Sequence, residues 1–225
     1  MLVRDWMTVN VLSLGVNSSV LDAAEILREK NIRQFPVIDA QARLVGIVSD
    51  RDIRDAMPSK FIPGDAADGR AGGLYTLTAG DVMTLDPVTV SPDAAVSEVA
   101  DSLVKHKVGG LPVLEGGELV GIITQADVLR FLRAASGAMR GGPLLAFRVE
   151  ARPGPLAELL SDMRAMGLVY SSVITANDLQ HASKRQVYIR LDGMGDRSVE
   201  NVVDELQKTY DVLYYVNEGV TVDVS

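Results

Sequence analysis

Gly46-Ile47-Val48-Ser49-Asp50-Arg51-Asp52 and Gly121-Ile122-Ile123-Thr124-Gln125-Ala126-Asp127 carry one motif twice in a chain of 225 residues. Each is an apolar run ending in a hydroxyl residue, with an aspartate three positions on. The likeness continues outward from this pair. Residues 3–57 and 79–132 align with one gap and share thirteen identities, among them Asp5/Asp81, Met7/Met83, Thr8/Thr84, Val20/Val96, Leu27/Leu103 and Pro36-Val37/Pro112-Val113. A period of about 75 residues exceeds the roughly 20 to 50 of a solenoid unit. The duplication therefore implies two copies around a pseudo-twofold axis, with a cleft made twice.

Each copy reads as strand, helix, strand, strand, helix. Val20, Ala23, Ala24 and Leu27 recur at helical spacing, and the apolar runs at 35–38 and 44–48 flank a polar turn at 39–43. The second copy repeats this with Val96, Val99, Ala100 and Leu103, then the runs at 111–114 and 119–123 around Glu115-Gly116-Gly117-Glu118. Where the last strand meets the last helix, Ser49-x-x-Asp52 and Thr124-x-x-Asp127 admit two readings. One is a capping pair, in which the hydroxyl accepts from an orphan amide and the carboxylate reaches back to the cap. The other is a ligand site: a hydroxyl and free amides at a helix start suit a phosphate, and a carboxylate one turn along accepts both hydroxyls of a ribose. A cap can also be a ligand, and two matched copies beside an interface favour the second reading.

These motifs, with Asp-x-Met-Thr at each start and the Phe35-Pro36-Val37 and Leu111-Pro112-Val113 segments, resemble the CBS (cystathionine beta-synthase) domain family arranged as a tandem pair, or Bateman module. The resemblance spans residues 1 to about 135. It implies binding of an adenosine-containing ligand (AMP, ADP, ATP or S-adenosylmethionine) between the repeats, each pocket drawing on both. Carried over by position, one pocket uses Ser49, Asp52 and Arg33 for phosphate and ribose, with Thr89, Val90 and Val108 around the adenine. The other uses Thr124 and Asp127, with Ser13, Leu14 and Ile32 on the base side. Magnesium accompanies the nucleotide where the ligand is a polyphosphate.

The two pockets differ. Where the first copy has Arg33-Gln34 the second has Gly109-Gly110. A hydrogen bond to a charged group is worth about 1.5 to 3 kcal/mol, which favours the Arg33 pocket for polyphosphate. The second binds weakly, stays empty, or draws on the Gly109-Gly110 amides and the Lys105-His106-Lys107 run, which otherwise reads as a solvated helix end.

The stretch from Pro58 to Gly80 is rich in Gly, Pro, Ala and Asp, holds no complete phosphate-loop pattern, and reads as a linker. A second break falls at 134–143. Beyond it come alternating Phe147, Val149 and Ala151, a helical face of Leu156, Leu159, Leu160 and Met163, a strand at 168–175, and alternating Val187, Ile189 and Leu191. A helix with Val199, Val202, Val203 and Leu206 and a strand at 212–216 complete the order βαββαβ, the ferredoxin-like split arrangement. The turn Phe147-x-Val149-x-x-Arg152-Pro153-Gly154-x-Leu156 looks like the start of an ACT domain over residues 144 to about 220. That resemblance implies an amino acid or other small effector held by Arg152, Pro153, Gly154, Pro155 and Leu156, or dimerisation alone. Ala151 stands where many effector-binding members carry an acidic or amide residue, removing a partner for a ligand amino group.

The expected architecture is thus α/β (α+β). It comprises CBS repeat 1 at 1–57, a linker at 58–78, CBS repeat 2 at 79–135, a linker at 136–143 and an ACT domain at 144–225. The two CBS repeats are pseudo-twofold-related, and sheet edges and helix faces imply a homodimer. Composition restricts the function classes. The net charge of −8 is spread over both halves, so there is no basic footprint for nucleic acid, and no apolar run approaches the 18 residues of a membrane span. The opening Met-Leu-Val-Arg-Asp-Trp-Met is no signal peptide, which makes a cytoplasmic protein the expectation. There is no cysteine, and the two histidines, His106 and His181, lie in no ligand or catalytic spacing. No catalytic residue, metal ligand or required cofactor is expected. The reading is a non-catalytic regulator sensing an adenine nucleotide and acting on an unknown partner. The alternatives are a constitutive interaction module with vestigial pockets, or a regulatory subunit acting in trans on an enzyme or transporter.

Overall fold

The computed structural model describes residues 1–56 and 77–224, so most of the 58–78 linker lies outside the described residues. The chain divides into compact units at 1–129 and 130–225.

In the first unit, β1 (Leu14–Gly15), α1 (Val20–Lys30), β2 (Gln34–Ile38), β3 (Leu44–Ser49) and α2 (Asp50–Ala56) form the first repeat. α3 (Ala79–Val82) and β4 (Thr84–Leu85) then lead into the second, built from α4 (Val96–His106), β5 (Gly110–Glu115), β6 (Glu118–Thr124) and α5 (Gln125–Ala135). The counterpart of β1 is reduced to a single parallel bridge between Val90 and Val113. Phe35, Val37, Val48, Val20, Ala23 and Ile53 make the first core; Leu111, Val113, Ile123, Val99 and Leu103 make the second. Both helices that follow the first strand end on a left-handed residue, Asn31 and Lys107, which turns the chain straight into the central strands.

The lead-in segments are exchanged. Val3 is fully buried in the second core and Ala79 in the first. Thr8 exchanges both backbone hydrogen bonds with Ile122 (2.9 and 3.0 Å), and β4 pairs with β3 at Gly46/Leu85 and Ile47/Thr84. This accounts for several repeated residues. A Cβ on Gly46 would come within 2.5 Å of the Met83 sulfur, and one on Gly121 within 2.7 Å of the Met7 sulfur. Each strand glycine therefore makes room for the methionine of the other copy's lead-in. Asp5 and Asp81 accept from the amides of Leu2 (3.1 Å) and Thr78 (2.8 Å), fixing the start of each lead-in turn.

The second unit contains β7 (Leu144–Glu150), α6 (Pro155–Ala165), β8 (Val169–Asn177), β9 (Lys184–Gly193), α7 (Val199–Leu206), β10 (Asp211–Asn217) and β11 (Val220–Asp223). The antiparallel sheet has the order β11-β10-β7-β9-β8. Alternate residues Leu145, Phe147 and Val149 of the central strand face Leu159 and Met163 of α6 and Val202, Val203 and Leu206 of α7 in one core. β11 extends the βαββαβ order expected from sequence; it continues from β10 through a tight turn with Glu218 at φ 51° and Gly219 at φ 80°.

The segment between α5 and β7 is pinned rather than free. The Ser136 carbonyl accepts from the Ser172 hydroxyl (2.9 Å) and Arg190 Nε (3.1 Å), and Arg190 Nη1 donates to the Gly142 carbonyl (2.8 Å). Residues 136–143 lie within the second compact unit, which begins at Arg130.

Candidate functional site

Each repeat brings its motif to the same place, the point where the outer central strand hands over to a helix. Ser49 pairs with Gln34 in the first sheet and Thr124 with Gly110 in the second. One residue on, the Asp50 amide donates to the Arg33 carbonyl (2.8 Å) and the Gln125 amide to the Gly109 carbonyl (3.0 Å). The capping geometry is present in both. Asp52 Oδ2 accepts from the Ser49 amide (2.7 Å) and hydroxyl (2.5 Å), and the Asp52 amide lies 3.4 Å from Ser49 Oγ. Asp127 Oδ2 accepts from the Thr124 amide (2.7 Å) and hydroxyl (2.8 Å). Thr78 and Asp81 form the same box, with hydroxyl to carboxylate at 2.7 Å, at the start of α3. At these three helix starts the hydroxyl-x-x-aspartate pattern serves as a cap, and only its setting distinguishes a ligand site.

That setting is the contact between repeats. The Gln34 side chain lies across Gly109 and Gly110: a Cβ on Gly110 would fall 1.9 Å from Gln34 Nε2, and one on Gly109 3.7 Å from Gln34 Oε1. The two central strands thus meet at positions 34 and 110, with the Ser49/Asp52 and Thr124/Asp127 helix starts next to them in their own sheets. The carboxylates differ in burial, since Asp52 is half-buried whereas Asp127 is 3% exposed.

The remaining candidates divide by environment. Arg33 and Thr89 are exposed; Ser13, Ile32, Val90 and Val108 are half-buried. Val90 is held at the edge of the second sheet by hydrogen bonds to Pro112 and Leu114 (3.1 and 3.0 Å). Ile32 packs on the first core and Val108 on the second. Leu14 is 6% exposed, pairs with Val37 and packs in the first core. Among the described residues no group of three or more His, Asp or Glu is placed to hold a metal ion.

In the second unit, Arg152, Pro153, Gly154 and Leu156 line a cleft of about 450 Å³ with Ala151, Ala157, Leu160 and Arg185. Pro155 lines a neighbouring cleft of about 770 Å³ that also takes in Arg148, Lys184, Glu158, Asp162 and Tyr210. Gly154 enters α6 at φ 113° with Pro155 as first helical residue, a conformation and a missing amide that this order of residues suits. Burial, together with a 2.6 Å hydrogen bond to Asp162, pushes the Tyr210 hydroxyl up to about 12. Sequence reading missed a buried bracket: Asp178 accepts from the amides of Gln180 (2.8 Å) and His181 (3.0 Å) and from Arg148 Nε (2.9 Å). Those donors, the Gln180 amide foremost, hold its carboxyl well below the usual range. Two of these donors belong to a local turn, but Arg148 stands 30 residues away on another strand, and no local pattern reports it.

A sequence model described as the CBS domain matches residues 3–59 and 79–134. A CBS domain-containing protein of Dictyostelium discoideum is 33% identical over 132 residues, covering 58% of this chain and 90% of its own. Among solved structures, the CBS-pair protein CBSX2 from Arabidopsis thaliana is 33% identical, covers 58% of this chain and 93% of its own, and superposes with TM-score 0.51. A structure of CBSX2 in complex with AMP is 34% identical, covering 58% and 95% with TM-score 0.49. A putative acetoin utilization protein from Vibrio cholerae is 32% identical, covering 59% and 90% with TM-score 0.49. No helix among the described residues is long and apolar enough to cross a membrane.

Proposed function

The chain belongs to the CBS-domain family, and on that premise we propose that residues 1–129 are a regulatory, non-catalytic module that binds an adenine nucleotide between its repeats. In this reading Arg33, Ser49 and Asp52 take phosphate and ribose with Thr89, Val90 and Val108 on the base, and Thr124 and Asp127 serve the second cleft with Ser13, Leu14 and Ile32. The observation that carries it is the placement of both hydroxyl-aspartate helix starts beside the point, Gln34 against Gly110, where the central strands of the two repeats meet. Residues 144–225 act as an ACT-type ferredoxin-like domain, for dimerisation or for a small effector beside Arg152–Leu156. The whole is a cytoplasmic homodimer acting on a separate partner.

A ligand that binds only the folded state stabilises it by RT ln(1 + [L]/Kd), about 2.7 kcal/mol at a hundredfold excess over Kd. Thermal scans with AMP, ADP, ATP and S-adenosylmethionine test the reading: at least one raises the melting temperature. A flat response to all four at millimolar concentration, with calorimetry also silent, leaves the second reading, a constitutive interaction module. The fully formed caps favour that alternative, because Ser49, Asp52, Thr124 and Asp127 already have partners within the fold.

A further inference from the structure

The two clefts share a backbone geometry but not a charge pattern. With Ser49 set against Thr124, Asp50 corresponds to Gln125, Arg51 to Ala126 and Arg54 to Leu129, and on the preceding strand Arg33 corresponds to Gly109. Three guanidinium groups of the first side thus have no counterpart on the second. Arg54 is taken up by Asp50 at 2.9 Å, whereas Arg33 and Arg51 are exposed and form no ion pair among the described residues. On the second side the next cation along the helix is Arg130, a turn beyond Asp127 and further from the helix start. Asp127 is the more deeply buried of the two carboxylates. Positions 109 and 126 are Gly and Ala, so an anion at the Thr124 helix start lacks the two guanidinium groups that flank the first.

Neutral groups stand there instead. Gln125 Nε2 donates to the Val108 carbonyl (3.2 Å). The Gln34 carboxamide reaches over Gly110 to the Thr124 methyl, since a Cβ on Gly110 would lie 1.9 Å from Gln34 Nε2 and 3.0 Å from Thr124 Cγ2. Among the described residues this carboxamide has no hydrogen-bond partner, which leaves a donor and an acceptor for a polar, uncharged ligand. Geometry does not forbid a cation at position 109. Gly109 is exposed, its φ is not positive, and a Cβ there would make an ordinary 3.7 Å contact with Gln34.

From this we infer that the Thr124/Asp127 cleft is specific for a phosphate-free nucleoside, and that Gly109, standing where the first cleft has Arg33, is the residue that sets this specificity. The inference rests on the reading of both clefts as adenosine sites. One chain then holds two different ligands, an adenine nucleotide beside Arg33 and a nucleoside beside Thr124.

Adenosine and AMP differ by one phosphate and serve as the probes, titrated by calorimetry and counted by native mass spectrometry on the full chain. The unmodified protein takes two adenosines per chain but one AMP, the second AMP being at least roughly tenfold weaker. Gly109→Arg gains a second AMP with affinity raised about ten- to a hundredfold at that site, as one charge-assisted phosphate contact supplies. Gly109→Lys provides the same charge on a slimmer stem and gives the same direction of change. Two AMP sites within tenfold of each other in the unmodified protein overturn the inference, as does a single adenosine site, or an AMP count that stays at one in both variants. Silence from both ligands instead removes the nucleotide reading beneath it.

Discussion

Replacing Arg33 by alanine separates phosphate recognition from nucleoside recognition. Loss of one charge-assisted contact weakens ATP by about 1.5 to 3 kcal/mol and leaves adenosine nearly unchanged. Asp52→Ala weakens both alike, since both carry the ribose diol, and it also lowers stability by about 1 kcal/mol because the Ser49 amide and hydroxyl lose their acceptor. Calorimetric titration of the two variants checks both statements; equal loss of ATP and adenosine with Arg33→Ala would place Arg33 in the fold or at the base rather than at the phosphate. At Asp178 the prediction concerns pH. Its carboxyl is held below the usual value, so its contribution to stability is complete above the unfolded pKa of about 4 and is lost as pH falls below it. Acid unfolding of Asp178→Asn should therefore be flatter below about pH 4 than that of the parent chain, and curves that superpose would contradict the assignment. The hydroxyl-aspartate pairs were legible in the sequence because a cap is a local, three-residue device. Asp178 was not, since what distinguishes it from other loop aspartates is an arginine 30 residues away.

At the level of elements, the strand and helix order of both repeats could be read from period and turn residues, save that the first strand of the second copy is only a bridge at Val90, yet the exchange of the lead-in segments could not. Met7 meets Gly121 and Met83 meets Gly46, contacts between residues far apart in the chain that leave only a repeated Met and a repeated Gly as their trace. β11 was missed for a different reason. All four of its residues are exposed and carry no core-facing pattern, although the Glu218-Gly219 turn was a usable hairpin signal. Within the connection at 136–143, Gly142 has φ 80° and a Cβ there would come 2.0 Å from the Leu191 carbonyl. Gly142→Ala should therefore destabilise the second unit by about 1 to 3 kcal/mol through strain and overlap. Chemical denaturation reads this out, and a change within about 0.5 kcal/mol would show the strap to be looser than these contacts require.

For the whole molecule, the exposed edge strands β8 and β11 and the exposed helix residues Val104, Leu129 and Leu132 are apolar or hydrogen-bonding surface that a second copy is suited to cover. Light scattering should give the mass of a dimer at micromolar concentration, and a monomer would rule out the proposed assembly. The central claim is that the paired helix starts hold an adenine nucleotide, and native mass spectrometry with millimolar AMP tests it most directly. The account predicts AMP adducts on the parent chain that disappear in the Asp52→Ala, Asp127→Ala double variant while the variant stays folded by circular dichroism. Adducts that persist undiminished in that variant, or a parent chain that carries none, would contradict it.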